Sequence, residues 1–201
     1  MLETLSSDYS SQNSNDSPIN CLKFKFYQTR KNHNIKLKIE SEEDNSISFS
    51  KLVSDLLTNI CEQSNTNSDS LISSAHIFIS KKIPSISVNN YIGRLLKYSK
   101  TFEKIIIIIL IYLDTICTKH KINLNYFNIH KFIFAAFLVA IKFHEDEYYS
   151  ISYYARLGGI SVKEATNLEY EFMNLIDFKL FVSQDIYDKY YKYLCSIEED
   201  I

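Results

Sequence analysis

The sequence has few of the residues that interrupt helices. Only three glycines and two prolines occur among its 201 residues, which suits long helices joined by few tight turns. Apolar residues make up 46% of the chain, enough for one sizeable core and some length left for a tail. We therefore expect a single helical core.

A strong charge of one sign and closely spaced cysteines are also lacking. The formal net charge of −2 is close to neutral, so electrostatics give no reason to expect nucleic acid or an anionic membrane as the main partner. The cysteines Cys21, Cys61, Cys117 and Cys195 lie far apart, without CxxC spacing. This pattern is typical of reduced thiols in a cytosolic or nuclear protein and argues against a zinc site.

Targeting and membrane signals are not found either. The N-terminus has no basic region followed by an apolar run, so we expect no signal peptide. The most apolar run extends from Ile105 to Leu113 and is closed by Asp114, whereas a membrane span needs about 20 residues. We predict that this run is a buried helix and that no membrane is involved.

The most informative stretch runs from Asn128 to His144 and is apolar almost all the way round. A helix of this kind cannot lie on a surface. Its small residues Ala135, Ala136 and Ala140 allow neighbouring helices to approach closely. We predict that it is the central helix of an all-α domain.

Further signals place other helices around this one. A hydrophobic stripe at helical spacing runs along residues 49–60, ahead of the main array. Ser87 is an N-cap candidate, Ser161 and Glu164 form a capping box, and Gly159 suits a helix end that needs positive φ. The predicted helices cover residues 48–62, 88–97, 101–118, 128–144, 148–157, 161–176 and 183–197, with a short apolar segment at 71–80.

Residues 1–46 are predicted to be a disordered or partner-docking tail. Its first part is rich in Ser and Asn, with nothing to bury. Residues 21–39 mix basic and aromatic residues in partial alternation, which fits a β-hairpin or a docking segment. Such a stretch can also contact nucleic acid, but the near-neutral charge makes that the weaker interpretation.

Several strings in the helical part resemble the cyclin box. Tyr112-Leu-Asp114 is similar to the "YLDR" signature of the second box helix, although Thr115 stands where Arg is usual. The similarity is greatest to P/U-type cyclins, the group of the yeast phosphate-pathway cyclin. The strings that carry it are Pro84-Ser-Ile-Ser-Val88, Tyr91 with Arg94, Lys97-Tyr98, Asn128-Ile-His-Lys131, Ala140-Ile-Lys142-Phe143, Tyr148-Tyr-Ser150, Tyr153-Tyr-Ala155, Gly158-Gly-Ile-Ser161, Leu168-Glu169 and Asp177-Phe178.

The resemblance covers about residues 84–182 and implies a fold. It predicts a single five-helix cyclin box with this core, inside an all-α domain of residues 47–201 with flanking helices before and after it. It also implies a structural ion pair between Arg94 on the first box helix and Asp114 on the second. Asp114 in an otherwise apolar helix is costly unless it is paired.

The resemblance further implies a regulatory subunit that binds and activates a cyclin-dependent protein kinase as a heterodimer, in cell-cycle or related control. In the family, a Lys on the third box helix and a Glu on the fifth contact the kinase, and Lys142 and Glu169 match them. A Lys at a helix C-terminus is favoured by the helix dipole and can extend to the surface. Phe143, Phe172 and Leu138 are candidates for apolar contacts beside this pair.

Other functions have weaker support. His144 with the acids Glu145, Asp146 and Glu147 lacks the spacing of a metal site and fits a solvated helix end. No phosphate-binding loop, GxSxG or Cys–His framework occurs, so we expect a regulatory protein without cofactor or catalytic residues. The alternative is a cyclin-box adaptor in transcription or scaffolding that binds no kinase. The tyrosines of the last helix are predicted to pack on the box.

Overall fold

The structure is a computed structural model that describes residues 45–64, 73–97 and 102–199. This part of the chain is helical and contains no strand, as predicted. Of the tail predicted at residues 1–46, residues 1–44 lie outside the described part, as does the hairpin considered at 21–39, whereas residues 45 and 46 begin the first helix. The helices are α1 (Asn45–Gln63), α2 (Val88–Leu96), α3 (Phe102–His120), α4 (Ile129–His144), α5 (Ile151–Gly158), α6 (Val162–Leu175) and α7 (Gln184–Glu199), with a 3-10 helix at Ser73–Phe78.

The central helix is α4, which is the third helix of the predicted box. Between Ile129 and Ile141 every residue except Lys131 is buried. It packs against α2, α3, α6 and the 3-10 helix, and Ala135, Ala136 and Ala140 are fully covered. The prediction of a central helix is confirmed, because only a helix surrounded on all sides can bury so apolar a surface.

Local capping sets the ends of the shorter helices as the sequence predicts. The Ser87 hydroxyl oxygen accepts a hydrogen bond from the backbone N–H of Asn90, and that of Ser161 accepts one from Glu164. Gly159 ends α5 with φ of 72°, the left-handed conformation that favours glycine. These caps fix where α5 stops and where α6 begins, and so set the position of α6 beside α4.

The flanking helices cover the box from one side. Helix α1 packs on α2 and α3, and its predicted stripe from Phe49 to Ile60 is buried. Helix α7 packs on α3, with Tyr190 buried and the Tyr191 ring 5.3 Å from that of Phe49. The burial of Tyr190 confirms the predicted packing for that residue, whereas Tyr191 contacts Phe49 but remains 39% exposed.

Lys131 attaches the 3-10 helix to the box. Its Nζ atom donates hydrogen bonds to the carbonyl oxygens of Ile77 and Ile79 at 3.1 and 3.4 Å. It also forms an ion pair with Glu164 of α6 at 2.9 Å. The described part of the predicted apolar segment, residues 73–80, is thus held against the start of α4 and α6. None of the helices described is both long enough and apolar enough to cross a membrane.

Candidate functional site

The candidate site is built on the ion pair between Lys142 and Glu169. Lys142 Nζ and Glu169 Oε1 are 2.6 Å apart, and the two residues come from α4 and α6. Their side chains are 31% and 21% exposed, so water and a partner can still reach both. The structure therefore joins the two residues that the sequence singled out, in a pair that remains open to the outside.

The position of each residue follows from its helix. Lys142 lies in the last turn of α4, directly after the buried Ile141, where the helix dipole favours a positive charge. Glu169 follows the buried Leu168 in the middle of α6. Because Ile141 and Leu168 fix the two backbones against the core, the charged neighbours meet at the seam between the helices.

Only one of the three apolar candidates for this surface is accessible. Phe143 is 50% exposed beside Lys142. Phe172 and Leu138 are fully buried, so the hypothesis that they contribute contact area is wrong. Phe172 lies three positions after Glu169 and faces inward, where its ring is 6.3 Å from that of Tyr112. Glu169 and Phe172 are about 60° apart around the helix axis, so the boundary between the surface and the core falls between these two positions.

Two further aromatic residues belong to this region, and neither was among the apolar contact candidates predicted from the sequence. Phe178 is 61% exposed and Phe181 is 79% exposed, in the segment that follows α6. The backbone between them is joined to the end of α4, because the Tyr112 hydroxyl donates to the Leu180 carbonyl at 2.7 Å and lies 3.0 Å from His144 Nε2. Helical periodicity could not reveal them, since this segment is not helical.

The hydrogen-bond roles at Tyr112 follow from its partners. A carbonyl only accepts, so the hydroxyl proton points to Leu180 and the His144 Nε2–H donates to the hydroxyl oxygen. Burial, reinforced by the nearby Lys104 charge, lowers the pKa of His144 below its usual value. His144 is thus a neutral structural contact at the edge of the candidate site.

The predicted ion pair between Arg94 and Asp114 is not found. Arg94 is exposed and its Nη2 donates to the Arg156 carbonyl at 3.1 Å. Asp114 is 1% exposed, and its Oδ2 accepts a hydrogen bond of 2.5 Å from the Tyr190 hydroxyl. The carboxylate thus accepts from α7, which covers the face of α3 on which Asp114 lies, and its Oδ1 is also 3.5 Å from the Thr118 hydroxyl oxygen one turn along α3.

No group of three or more potential metal ligands comes together among the residues that the structure describes. His144, the one metal candidate named from the sequence, makes its contact with Tyr112. Among the acids that follow it, Asp146 and Glu147 are exposed at the end of α4. This arrangement fits the solvated helix terminus that the sequence indicated.

Comparison with known proteins identifies the fold. A family model described as "Cyclin" matches residues 23–180. The chain belongs to the cyclin family. The match includes the whole predicted box up to Leu180, and it begins well ahead of it, within the segment predicted to be a tail.

The curated relatives of this cyclin are of the P and U types, as the resemblance indicated. It is 42% identical over 109 residues to PHO85 cyclin-like protein psl1 of Schizosaccharomyces pombe, covering 53% of this chain and 45% of the relative. It is 34% identical over 149 residues to PHO85 cyclin-7 of Saccharomyces cerevisiae, covering 68% and 52%. It is 34% identical over 112 residues to Cyclin-U4-1 of Arabidopsis thaliana, covering 55% of each. The chain thus spans about half the length of these relatives.

Proposed function

We propose that this cyclin is the regulatory, activating subunit of a cyclin-dependent protein kinase and that it docks through α4 and α6. The observation that carries the proposal is the partly exposed Lys142–Glu169 ion pair, which joins these two helices at the surface. Two relatives, PHO85 cyclin-like protein psl1 and PHO85 cyclin-7, are named as PHO85 cyclins, which supports a kinase partner of the PHO85 type.

The chemistry of the pair suits a protein partner. Lys142 has three N–H donors and its contact with Glu169 uses one of them, so the others can donate to exposed carbonyl groups of a kinase. Glu169 keeps the ammonium group oriented. Exclusion of water on docking would strengthen both contacts, because charges interact more strongly when they are desolvated.

Apolar contact area comes from the exposed aromatic rings near the pair. Phe143 lies next to Lys142, and Phe178 and Phe181 follow the end of α6. Large exposed aromatic side chains are costly in water and are the residues most enriched at the centre of interfaces. In this proposal they form the hydrophobic part of the docking surface, around the polar Lys142–Glu169 pair.

Activation in this scheme is a shift of population. The cyclin binds the kinase conformation in which the regulatory helix is turned inward and the ATP-binding Lys–Glu pair is aligned. It favours that state by its higher affinity for it and contributes no catalytic group. We also assign residues 47–201 to the domain, with the box core at 84–182, and a cytoplasmic or nuclear location on the basis of the widely spaced cysteines.

The test is a titration of the purified chain into a recombinant cyclin-dependent kinase of the PHO85 type, with histone phosphorylation as the readout. Wild type should stimulate the kinase, and Lys142→Glu should abolish stimulation, because it places two carboxylates side by side at the docking surface. Lys163→Glu is the matched control, since Lys163 is exposed on α6 and lies about 120° around the helix axis from Glu169. It should activate like wild type.

A second variant separates folding from docking. Lys142→Glu combined with Glu169→Lys can still form the ion pair, so its thermal midpoint should match that of wild type. It presents exchanged charges to the kinase and should not activate it. Activation by this double variant would show that docking lies elsewhere on the molecule. If wild type neither binds nor stimulates the kinase, the adaptor function becomes the better proposal.

A further inference from the structure

The turn after α6 has an unusual backbone. Asp177 and Phe178 are consecutive residues with positive φ, 54° and 57°, and neither is glycine. The Asp177 N–H donates to the Asn174 carbonyl at 3.2 Å, and the Phe178 N–H donates to the Met173 carbonyl at 3.0 Å. These bonds define a Schellman motif, in which the position of Asp177 is usually occupied by glycine.

This conformation is costly for the residues that adopt it. A left-handed conformation is unfavourable for an L-residue other than glycine, and it is an outlier for a bulky side chain such as Phe178. Burial of the ring does not repay that cost, since Phe178 is 61% exposed. A chain that needed only to reverse direction would be better served by glycine at both positions.

The turn is held in place by the end of α3. Lys119 forms an ion pair with the Asp177 carboxylate. The next residue, His120, contacts the carbonyl of Leu175 in the last turn of α6 through its Nε2 at 2.8 Å. Aspartate at this position therefore does what glycine could not, because its side chain attaches the turn to a second helix.

We propose that Asp177 and Lys119 are positioning residues that hold the turn so that the Phe178 ring is presented, before any partner arrives, as part of the docking surface. Met173, which accepts the Phe178 N–H, lies one turn of α6 beyond Glu169, so the turn continues the surface that begins at the ion pair. The inference rests on the proposed kinase partner. The benefit is a smaller entropic cost of ordering this segment on binding.

The decisive variant is Asp177→Gly. Glycine adopts the left-handed conformation without strain, and the lost ion pair is a solvent-exposed one of small value, so the thermal midpoint should not fall. Titration of this variant into the kinase should nevertheless show a half-maximal activating concentration of the chain about three- to tenfold higher than that of wild type, with the same maximal kinase activity at saturation. If Asp177 had a purely structural role, the variant would not combine an unchanged thermal midpoint with a higher half-maximal activating concentration.

Two further variants control the result. Lys179→Ala removes a lysine that is 82% exposed and 4.0 Å from the same carboxylate, and it should leave the half-maximal concentration unchanged. Lys119→Asp combined with Asp177→Lys re-forms the ion pair in reverse and should restore wild-type affinity. Lysine is compatible with this backbone, since Lys121 has φ of 53° in the same protein.

The outcomes distinguish this inference from the function on which it rests. If Asp177→Gly activates at the wild-type concentration while Lys142→Glu fails to activate, the turn only reverses the chain and the inference is wrong, although kinase docking stands. A failure of the reversed pair to restore affinity would exclude the ion pair as the positioning element. Failure of wild type to activate the kinase would overturn both proposals.

Discussion

Asp114 on α3 and Glu169 on α6 are both carboxylates held by a side chain from another helix, but they differ in their access to water. Asp114 is 1% exposed and accepts from the Tyr190 hydroxyl inside the protein. Glu169 is 21% exposed and pairs with Lys142 at the surface. The same functional group therefore secures a packed interface in one place and remains available to a partner in the other.

The difference follows from the cost of desolvation. A buried carboxylate has lost its water already, so its partners in the fold must satisfy it fully. A partly exposed ion pair keeps part of its hydration and contributes little to folding, but its two charges can interact more strongly when a second protein displaces that water. The comparison predicts that changes at Asp114 affect mainly stability and that changes at Lys142 affect mainly binding.

The largest effect on stability is expected from Asp114→Ala. The substitution leaves the buried Tyr190 hydroxyl without its acceptor, and we expect a loss of about 2–3 kcal/mol in the free energy of unfolding. Chemical denaturation of wild type and variant measures this loss. The double variant Asp114→Ala with Tyr190→Phe should lose less than the sum of the two single variants, because both polar partners are then removed. If the losses of the two single variants added strictly in the double variant, Asp114 and Tyr190 would not be directly coupled.

A smaller effect is expected from mild acid, which also acts on buried groups. Burial lowers the pKa of His130 and His144 in the folded protein, so the unfolded chain takes up protons more readily. The free energy of unfolding that these two histidines contribute is fully present above the usual histidine pKa of about 6.5. It is lost as the pH falls toward the lower pKa values that the histidines have in the folded protein. Denaturation at pH 7.5 and pH 5.5 measures it.

His144→Gln should lose less stability between these pH values than wild type, since one of the two groups is removed. His130 contributes the remainder. Its Nε2 lies 2.9 Å from the Ile86 carbonyl, and its Nδ1 has no hydrogen-bond partner in the part of the chain that the structure describes. Protonation would bury an N–H without an acceptor. A stability that rose on acidification would contradict the sign of both pKa shifts.

The smallest effect on stability is expected from Lys142→Ala. The ion pair with Glu169 is partly exposed, so its removal should change the free energy of unfolding by less than about 1 kcal/mol. Under the proposed function the same variant should activate the kinase poorly. A loss of stability comparable to that of Asp114→Ala would remove the distinction between the two carboxylates. Chemical denaturation measures the change in stability, and titration into the kinase measures the change in activation, both on the same protein preparation.

Much of the fold could be predicted because it depends on local signals. The apolar run of α4, the serine caps and Gly159 each act within a few residues, so periodicity and capping rules identify them. The seam that joins Lys142 to Glu169 was also accessible, through the resemblance to a known family. The hydrogen bond from Tyr190 to Asp114 could not be predicted in this way. Tyr190 lies 76 positions from Asp114, and the contact depends on how α7 packs on α3.

The exposed aromatic residues were the hardest part of the site to predict. Phe172 and Phe178 are both phenylalanines near the end of α6, yet one is fully buried and the other is 61% exposed. Their exposure differs because Phe172 lies on the buried face of a regular helix, whereas Phe178 is itself in the left-handed turn that ends that helix. No local sequence pattern predicts two consecutive residues in the left-handed conformation when neither of them is glycine.

The Tyr112 hydroxyl has a further consequence for partner choice. It joins α3, the end of α4 and the segment around Leu180 through two hydrogen bonds to one oxygen atom. A surface tied together in this way is stiff, so it cannot adjust its shape to suit each protein that it meets. Under the proposed function, kinases whose docking surfaces differ slightly in shape would be discriminated by fit, because a stiff surface converts a small mismatch into lost affinity.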